Sequence, residues 1–201
     1  EEAAATFALL KKRAPKLPAA GRADTDAALA AQARLESRLA RIGDAPAGAL
    51  KTRSHGDLHL GQVLVAGNDF VIIDFEGEPA RSFDERRAKS SPLRDVAGML
   101  RSFDYARWSA LRRSANSAEE MQRFAPELHD WHAATREAFL AGYSRTLAPP
   151  APAAALDTGL LALFEIEKAL YELRYELNNR VDWAPVPLQG LLALADAGTA
   201  D

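Results

Sequence analysis

Apolar residues recur at the three- and four-residue spacing of helices over most of the chain, and one short segment is instead rich in β-branched residues. Alanine supplies about a fifth of the residues, which also favours helices. The pattern predicts helices over 1–12, from Asp24 or Thr25 to 42, from Ser91-Pro92 through 103, and over 118–145, 156–180 and 186–197, with a proline-rich break at 149–152.

The β signal lies between residues 62 and 74. Two β-branched runs, 63–65 and 70–73, flank Gly67-Asn68-Asp69, which is typical of a tight turn. We therefore predict a two-stranded hairpin in an otherwise helical chain of the α+β class. The polar segment 76–91 shows no clean period and predicts a long loop.

Composition excludes several classes of protein. The 25 basic and 28 acidic residues give a net charge of −3, which argues against binding to a nucleic-acid backbone. The absence of cysteine excludes disulfides, thiolate nucleophiles and cysteine-ligated metals. No apolar run reaches the ~18 residues of a membrane span, and the first residues lack a signal-peptide pattern. We expect no membrane partner and predict a cytoplasmic protein.

Three polar residues around the predicted hairpin suggest phosphoryl transfer. Asp57 precedes the first strand, Gln62 follows five residues later, and Asp74 follows the second strand. Phosphoryl transfer needs a group that orients or deprotonates the attacking hydroxyl group, and oxygen ligands for Mg²⁺. Protein kinases place an Asp base, an Asn five residues later and a metal-binding Asp after a hairpin in a similar order.

The same stretch resembles a known family. The strings HGDLHLGQVL, IDFEGEPAR and EKALYELRYELNNRVDW are similar to bacterial maltokinases, in the aminoglycoside phosphotransferase branch of the kinase-like superfamily. The resemblance covers about residues 50–190. It implies ATP-dependent phosphorylation of maltose to maltose 1-phosphate in trehalose and glycogen metabolism. Because maltokinases occur alone or fused to trehalose synthase, that enzyme is a further expected partner.

The resemblance also implies a role for each polar residue of the loop and hairpin. Asp57 would be the catalytic base toward the sugar hydroxyl group. Gln62 and Asp74 would be the ligands of Mg²⁺, and ATP would be the phosphoryl donor. Gln62 stands where most relatives of the wider superfamily carry Asn.

Four further residues are expected to support this site. His55 and His59 would brace the loop through hydrogen bonds, although the alternative that they bind a transition metal with Asp57 remains open. Glu76 replaces the glycine of the kinase Asp-Phe-Gly motif. Asp95 would either cap its helix or, by the resemblance, hold the backbone of the catalytic loop.

The helix predicted at 156–180 offers a candidate sugar surface. Lys168, Tyr171 and Tyr175 lie nearly opposite its apolar stripe, on the same side as Phe164 and Asn178. Tyrosines beside a lysine can contact the apolar faces and hydroxyl groups of a sugar, and the resemblance places the lysine and tyrosines of this motif in the maltose pocket. The alternative is that these tyrosines simply pack against other protein. The core stripe is predicted to comprise Leu163, Ile166, Leu170, Leu173 and Leu177.

The organisation implied by the resemblance is a single C-terminal kinase-like lobe over 1–201. It would comprise leading helices at 1–50, the catalytic loop and hairpin at 51–91, and a helical acceptor-binding part at 92–201. No glycine-rich strand pair precedes Asp57, so the ATP-binding N-terminal lobe is expected to be absent and the isolated chain to be inactive. The alternatives are a kinase with another acceptor, such as an aminoglycoside or choline, or a non-catalytic module that holds maltose or docks on trehalose synthase.

Overall fold

The computed structural model describes residues 2–17, 21–40, 51–78, 81–146 and 156–196. A two-stranded antiparallel hairpin accompanies the helices, which confirms the mostly helical α+β class. The predicted helix end at 42 and the proline-rich break at 149–152 lie outside the described residues. The elements are α1 (Glu2–Arg13), α2 (Arg22–Ala30), α3 (Gln32–Ala40), β1 (Val63–Ala66), β2 (Asp69–Ile72), α4 (Phe83–Arg87), α5 (Leu93–Ser114), α6 (Ala118–Thr146), α7 (Thr158–Asn179) and α8 (Pro185–Asp196).

The second helix begins two to three residues before the predicted Asp24 or Thr25, and neither of these residues is its N-cap. Helix α2 begins at Arg22, and its N-cap Gly21 provides no side-chain hydrogen bond. Thr25 does not cap the helix, because its Oγ1 donates a 2.8 Å hydrogen bond back to the Gly21 carbonyl oxygen. Helices α2 and α3 meet at Ala31, where the i→i−4 pattern of backbone hydrogen bonds continues.

The loop predicted over 76–91 contains the short helix α4. The sequence signal for it is a capping box, in which Ser82 and Glu85 each bond the other's backbone N–H. The hydrogen bonds from Ser82 hold the pKa of Glu85 below its ordinary value. Periodicity alone cannot detect a helix of five residues, because a single turn presents no repeated face.

The described residues divide into two compact units, one formed by those up to 40 and from 162 onward, the other by those from 51 to 161. A single lobe over 1–201 therefore stays a prediction. Burial of one Leu side chain stabilises a fold by about 1.5–3 kcal/mol, so the apolar cluster of the first unit is its main source of stability. Its members are Phe7, Leu10, Leu17, Ala28, Ala31, Leu35, Ile166, Ala169, Leu170, Leu173, Leu177, Ala184, Leu188, Leu191 and Ala195.

In the second unit, α5 is the central element, because it packs along α6 and also contacts the turn before β1. Phe103 of α5 meets Phe139 of α6 edge to face, with ring centroids 5.7 Å apart. The hairpin is exposed on both faces, including Val65 and Phe70. Among the described helices, none is long and apolar enough to cross a membrane.

Candidate active site

The hairpin brings Gln62 and Asp74 together. Its register pairs Val63 with Ile72, and the Ile73 N–H donates to the Gln62 carbonyl oxygen at 3.0 Å. Gln62 Nε2 then donates a 2.8 Å hydrogen bond to Asp74 Oδ2. Because the turn between the strands fixes the register, it also places these two side chains at the open end of the hairpin.

Asp74 has a backbone conformation that side chains rarely adopt. Its φ is +64°, in the left-handed region, and it is the one non-glycine residue with positive φ among the described residues. Aspartate tolerates this region better than most residues do. Such strain persists where the surroundings hold it, and it is common at functional sites. The backbone therefore turns sharply at the position where the carboxylate meets Gln62.

His55 connects the loop to the end of the hairpin. Its ring is 5% exposed and lies against Phe75, with centroids 4.8 Å apart. Nδ1 accepts from the Asp57 N–H at 3.3 Å, so the proton belongs on Nε2, which donates to the Ile73 carbonyl oxygen at 2.7 Å. Both ring nitrogens therefore already have protein partners, which disfavours His55 as a metal ligand.

Asp95, in the first turn of α5, binds the loop from the opposite side. Its Oδ2 accepts from the His55 N–H at 2.6 Å, and its Oδ1 accepts from the Gly56 N–H at 2.9 Å. Gly56 has φ +87°, and a Cβ there would lie 3.1 Å from the Gly77 Cα. A side chain at Gly56 would therefore be strained and would press against the segment that follows Asp74.

Two residues that the sequence analysis missed continue this contact along α5. A Cβ on Gly98 would lie 2.6 Å from the Leu58 carbonyl oxygen, so only glycine allows this close approach. Ser102 Oγ accepts from the Leu60 N–H at 3.2 Å. The signal was the spacing of residues 95, 98 and 102, which places all three on one face of a helix.

Asp57 lies within this loop, beside His59. The His59 Nε2 is 4.0 Å from Asp57 Oδ2, while its Nδ1 accepts from the Gly61 N–H at 3.0 Å. The Asp57 side chain is partly open to solvent, with 24% exposed. Glu76 follows the hairpin, and its carbonyl oxygen accepts from Arg86 Nη1 at 3.3 Å. The Asp57 carboxylate is thus accessible to solvent, and the backbone of its loop is fixed by hydrogen bonds with His55 and Asp95.

The chemistry of this donor set fits a magnesium ion shared with a phosphate. Mg²⁺ prefers oxygen ligands and is usually bound by one or two carboxylates together with substrate phosphates and water. Asp74 offers a carboxylate and Gln62 a carboxamide beside it. Among the described residues, no group of three or more His, Cys, Asp or Glu could hold a metal ion by itself.

The predicted sugar residues lie on α7, in the other compact unit, where cations already lie over both tyrosine rings. Lys168 Nζ is 4.8 Å from the centroid of the Tyr171 ring, and the Arg180 guanidinium lies 5.6 Å from that of Tyr175. Tyr175 is 47% exposed. Phe164, predicted on this open side, is buried instead.

The predicted core stripe of α7 is buried except for Leu163, which is half-buried. The same helix also buries a set of acidic residues that the apolar pattern did not predict, Glu165, Glu172 and Glu176. Arg180 binds both carboxylate oxygens of Glu176, at 2.9 and 2.6 Å, which compensates the burial of that charge.

Comparisons with known proteins give the following relatives. No family model matches the chain. A glucosamine kinase of Mycolicibacterium smegmatis is 31% identical over 167 residues, which are 83% of this chain and 40% of that protein. One of Streptacidiphilus jiangxiensis is 31% identical over 144 residues, which are 72% of this chain and 32% of that protein. The chain is similar to glucosamine kinases. It spans about two fifths of the length of the first of these relatives.

Solved structures give the same result. A glucosamine kinase in complex with glucosamine, ADP and inorganic phosphate superposes with a TM-score of 0.77 at 26% identity, over 98% of this chain and 47% of that one. A second crystal form of a glucosamine kinase gives a TM-score of 0.78 at 26% identity, over 98% of this chain and 45% of that one. The described fold is therefore similar to that of part of these glucosamine kinases.

These relatives correct the family that the sequence analysis inferred. The resemblance to maltokinases and to the aminoglycoside phosphotransferase branch is wrong, because the matching proteins are glucosamine kinases. Maltose as acceptor, trehalose synthase as partner and a place in glycogen metabolism are wrong for the same reason. The physical reason is that the polar residues of the loop and hairpin were interpreted as groups that handle a metal and a phosphate. Such groups do not specify which sugar accepts the phosphoryl group.

Proposed function

We propose that the full-length protein containing this chain transfers the γ-phosphoryl group of ATP to a hydroxyl group of an amino sugar, with glucosamine as the first candidate. The observation that supports this most directly is the meeting of Gln62 and Asp74 at 2.8 Å, beside the loop that contains Asp57. The names of the relatives supply the acceptor, and the bound ADP and phosphate of one of them support ATP as the donor. The proposed location is the cytoplasm.

In this proposal Asp57 acts on the sugar hydroxyl group, and Gln62 and Asp74 bind the metal. The Asp57 carboxylate orients the attacking hydroxyl group and accepts its proton. The Asp74 carboxylate and the Gln62 carboxamide oxygen would hold Mg²⁺. When bound, Mg²⁺ neutralises charge on the β- and γ-phosphates. His55 and Asp95 keep the loop in place and contact neither the substrate nor the metal.

The proposal also concerns which part of the enzyme this chain represents. Before Asp57, the described residues up to 40 form mostly helices, and those from 51 to 56 form no glycine-rich strand pair. Kinases of this kind grip ATP with a separate β-rich lobe. We therefore propose that another region of the full-length protein binds most of the nucleotide, so that the 201-residue chain alone does not turn over.

The α7 residues Lys168, Tyr171 and Tyr175 remain our candidates for contact with the sugar. Their cationic neighbours would repel the ammonium group of an amino sugar, so we propose that they contact its hydroxyl-bearing side. This part of the proposal rests on the general affinity of aromatic rings for apolar sugar faces.

A panel of acceptors tests the proposal. ATP-dependent phosphorylation is measured for the full-length protein and for the 201-residue chain, with glucosamine, glucose and N-acetylglucosamine. We expect the full-length protein to prefer glucosamine over both analogues by at least about tenfold in kcat/KM, because the analogues lack the free amine. Phosphorylation of none of the three would contradict a sugar kinase. Equal rates with glucose would contradict recognition of the amino group, and full activity of the short chain would contradict the missing nucleotide lobe.

A further inference from the structure

One face of α5 lies along the loop that contains Asp57. Asp95, Gly98 and Ser102 are three and four residues apart, so they share this face, and they span about 10 Å along the helix axis. They meet the loop in the same order. Asp95 binds the His55 and Gly56 amides, Gly98 lies under Leu58, and Ser102 binds the Leu60 amide.

The Ser102 hydroxyl is oriented for this last contact. Its one proton is donated to the Met99 carbonyl oxygen at 2.7 Å, within the helix. A hydroxyl group has one donor and two acceptor positions, so the oxygen remains available to accept from Leu60. The Leu60 N–H reaches it at 3.2 Å. The helix backbone thus directs the serine oxygen toward the loop.

Leu60 begins the short 3₁₀ turn Leu60–Gln62 that leads into β1. The first N–H groups of a helical turn have no partner within it. His59 accepts hydrogen bonds from the next two N–H groups of the turn. Its Nδ1 accepts from Gly61, and its carbonyl oxygen accepts from Gln62. The remaining N–H group, that of Leu60, donates to Ser102, which lies on α5. Ser102 therefore links the turn that contains Gln62 to the same helix that binds the start of the loop.

We propose that Ser102 is a positioning residue for the metal-binding pair, which it influences by fixing the turn that presents Gln62 to Asp74. This inference rests on the proposed function, because it assumes that Gln62 and Asp74 bind Mg²⁺. Ser102 itself contacts neither the metal nor the substrate. Gly98 makes the contact possible, since it lets the loop lie directly on the helix.

The first test measures the contact without reference to activity. Amide hydrogen exchange of peptides covering residues 58–62 is followed by mass spectrometry in the full-length protein. Ser102→Ala is expected to speed exchange there by roughly three- to tenfold, as the loss of one hydrogen bond predicts. Ser102→Thr keeps the hydroxyl group and should restore slow exchange. Ser109→Ala, two turns further along α5, is the matched control and should leave the loop unchanged.

The second test measures the consequence for the metal. In Ser102→Ala, the Mg²⁺ concentration that gives half-maximal turnover should rise by roughly three- to tenfold, because partners of metal ligands tune metal affinity. The KM for glucosamine should stay within twofold of the unmodified value. Ser102→Thr should return the Mg²⁺ dependence to normal.

The two readouts separate the possible failures. Unchanged exchange in Ser102→Ala would overturn the contact, whatever the enzyme does. Faster exchange with an unchanged Mg²⁺ dependence would overturn the link from Ser102 to the metal-binding pair. Absence of turnover in the unmodified protein would contradict the proposed function. In that case binding of Mn²⁺, followed by its paramagnetic relaxation, would replace turnover, and equal affinities of the unmodified protein and Ser102→Ala would overturn the link.

Discussion

The loop that contains Asp57 and the tyrosine face of α7 were both singled out by the sequence, yet they are built very differently. In the loop, six of the eight backbone amides from His55 to Gln62 are bound by Asp95, His55, Ser102 and His59. On α7, Lys168 lies over the ring of Tyr171 and Arg180 over the ring of Tyr175.

This difference concerns how strongly each region's geometry is determined. A loop fixed by several backbone hydrogen bonds can hold its functional groups in one arrangement, and rigid placement is what phosphoryl transfer requires. A cation over an exposed ring contributes only about 0.5–1 kcal/mol. We therefore expect the loop to act as the reaction site and the more exposed α7 face to act as a contact surface.

The largest expected effect is loss of the proposed base. Asp57→Asn should lower kcat by about 10²–10⁴-fold, because the amide cannot accept the proton of the attacking hydroxyl group. The KM for glucosamine should change little. Steady-state kinetics of the full-length protein check this, with Asp130→Asn, an exposed aspartate on α6, as the control. Normal turnover in Asp57→Asn would remove the residue from the mechanism and end the contrast between loop and α7 face.

The next effect tests how tightly the loop lies on α5. Gly98→Ala should destabilise the protein by about 1–3 kcal/mol, because the new Cβ would lie 2.6 Å from the Leu58 carbonyl oxygen and force the loop away. Gly142→Ala on α6 is the matched variant. It has nothing within 4 Å, and alanine is the better helix former, so it should stabilise by about 0.5–1 kcal/mol.

Urea denaturation of both variants measures the difference. Gly98→Ala should also lower kcat, whereas Gly142→Ala should not. If both glycine variants were equally stable, the loop would be free to move off the helix, and its geometry would be no better determined than that of α7.

Several features of the fold were accessible from the sequence because their causes are local. The hairpin follows from β-branched runs around Gly67, which adopts φ +62° in the turn. That register in turn placed Gln62 next to Asp74. The long helices α6, α7 and α8 were found within a few residues of their ends. Helix α5 begins where predicted but ends at Ser114, eleven residues beyond the predicted end at 103.

Other features depend on contacts between distant segments, for which the local pattern gives at most a shared helix face. Gly98 and Ser102 look like ordinary helical residues until the loop around Leu58 is placed against them. The burial of Phe164 and Glu176 on α7 depends on which neighbours cover each side of that helix. The acceptor was mistaken because the motif was interpreted through general phosphoryl-transfer chemistry, which does not specify the shape of the sugar.

A smaller effect concerns the face of α5 that points away from the loop. At 100° per residue Asp104 lies opposite Asp95 on α5, and His132 of α6 approaches Asp104 to 3.2 Å without hydrogen-bond alignment. Burial lowers the pKa of His132. The Asp104 carboxylate raises this pKa, whereas the guanidinium groups of Arg107, Arg136 and Arg101 lower it further.

The free energy of unfolding should therefore fall as the pH is lowered below 6.5, the ordinary pKa of histidine. Above the ordinary pKa of 6.5 His132 is neutral whether the chain is folded or not. Below it, the unfolded chain binds a proton more readily than the folded one, so folding stability decreases. Thermal unfolding at pH 7.5 and pH 5.5 should show a smaller loss of Tm for His132→Gln than for the unmodified protein. A larger loss in the variant would mean that the ion pair with Asp104 dominates instead.

The smallest expected effect sharpens the comparison on the α7 side. Tyr175→Ala should raise the KM for the sugar by roughly two- to fivefold and leave kcat unchanged, because a surface that binds ground state and transition state alike affects KM alone. Trp131→Ala on α6 removes an aromatic side chain of similar exposure, 44% against 47%, and should leave KM unchanged. If Tyr175→Ala lowered kcat, α7 would have to place the sugar as rigidly as the loop places Asp57. If KM did not change, Tyr175 would have no part in binding the sugar.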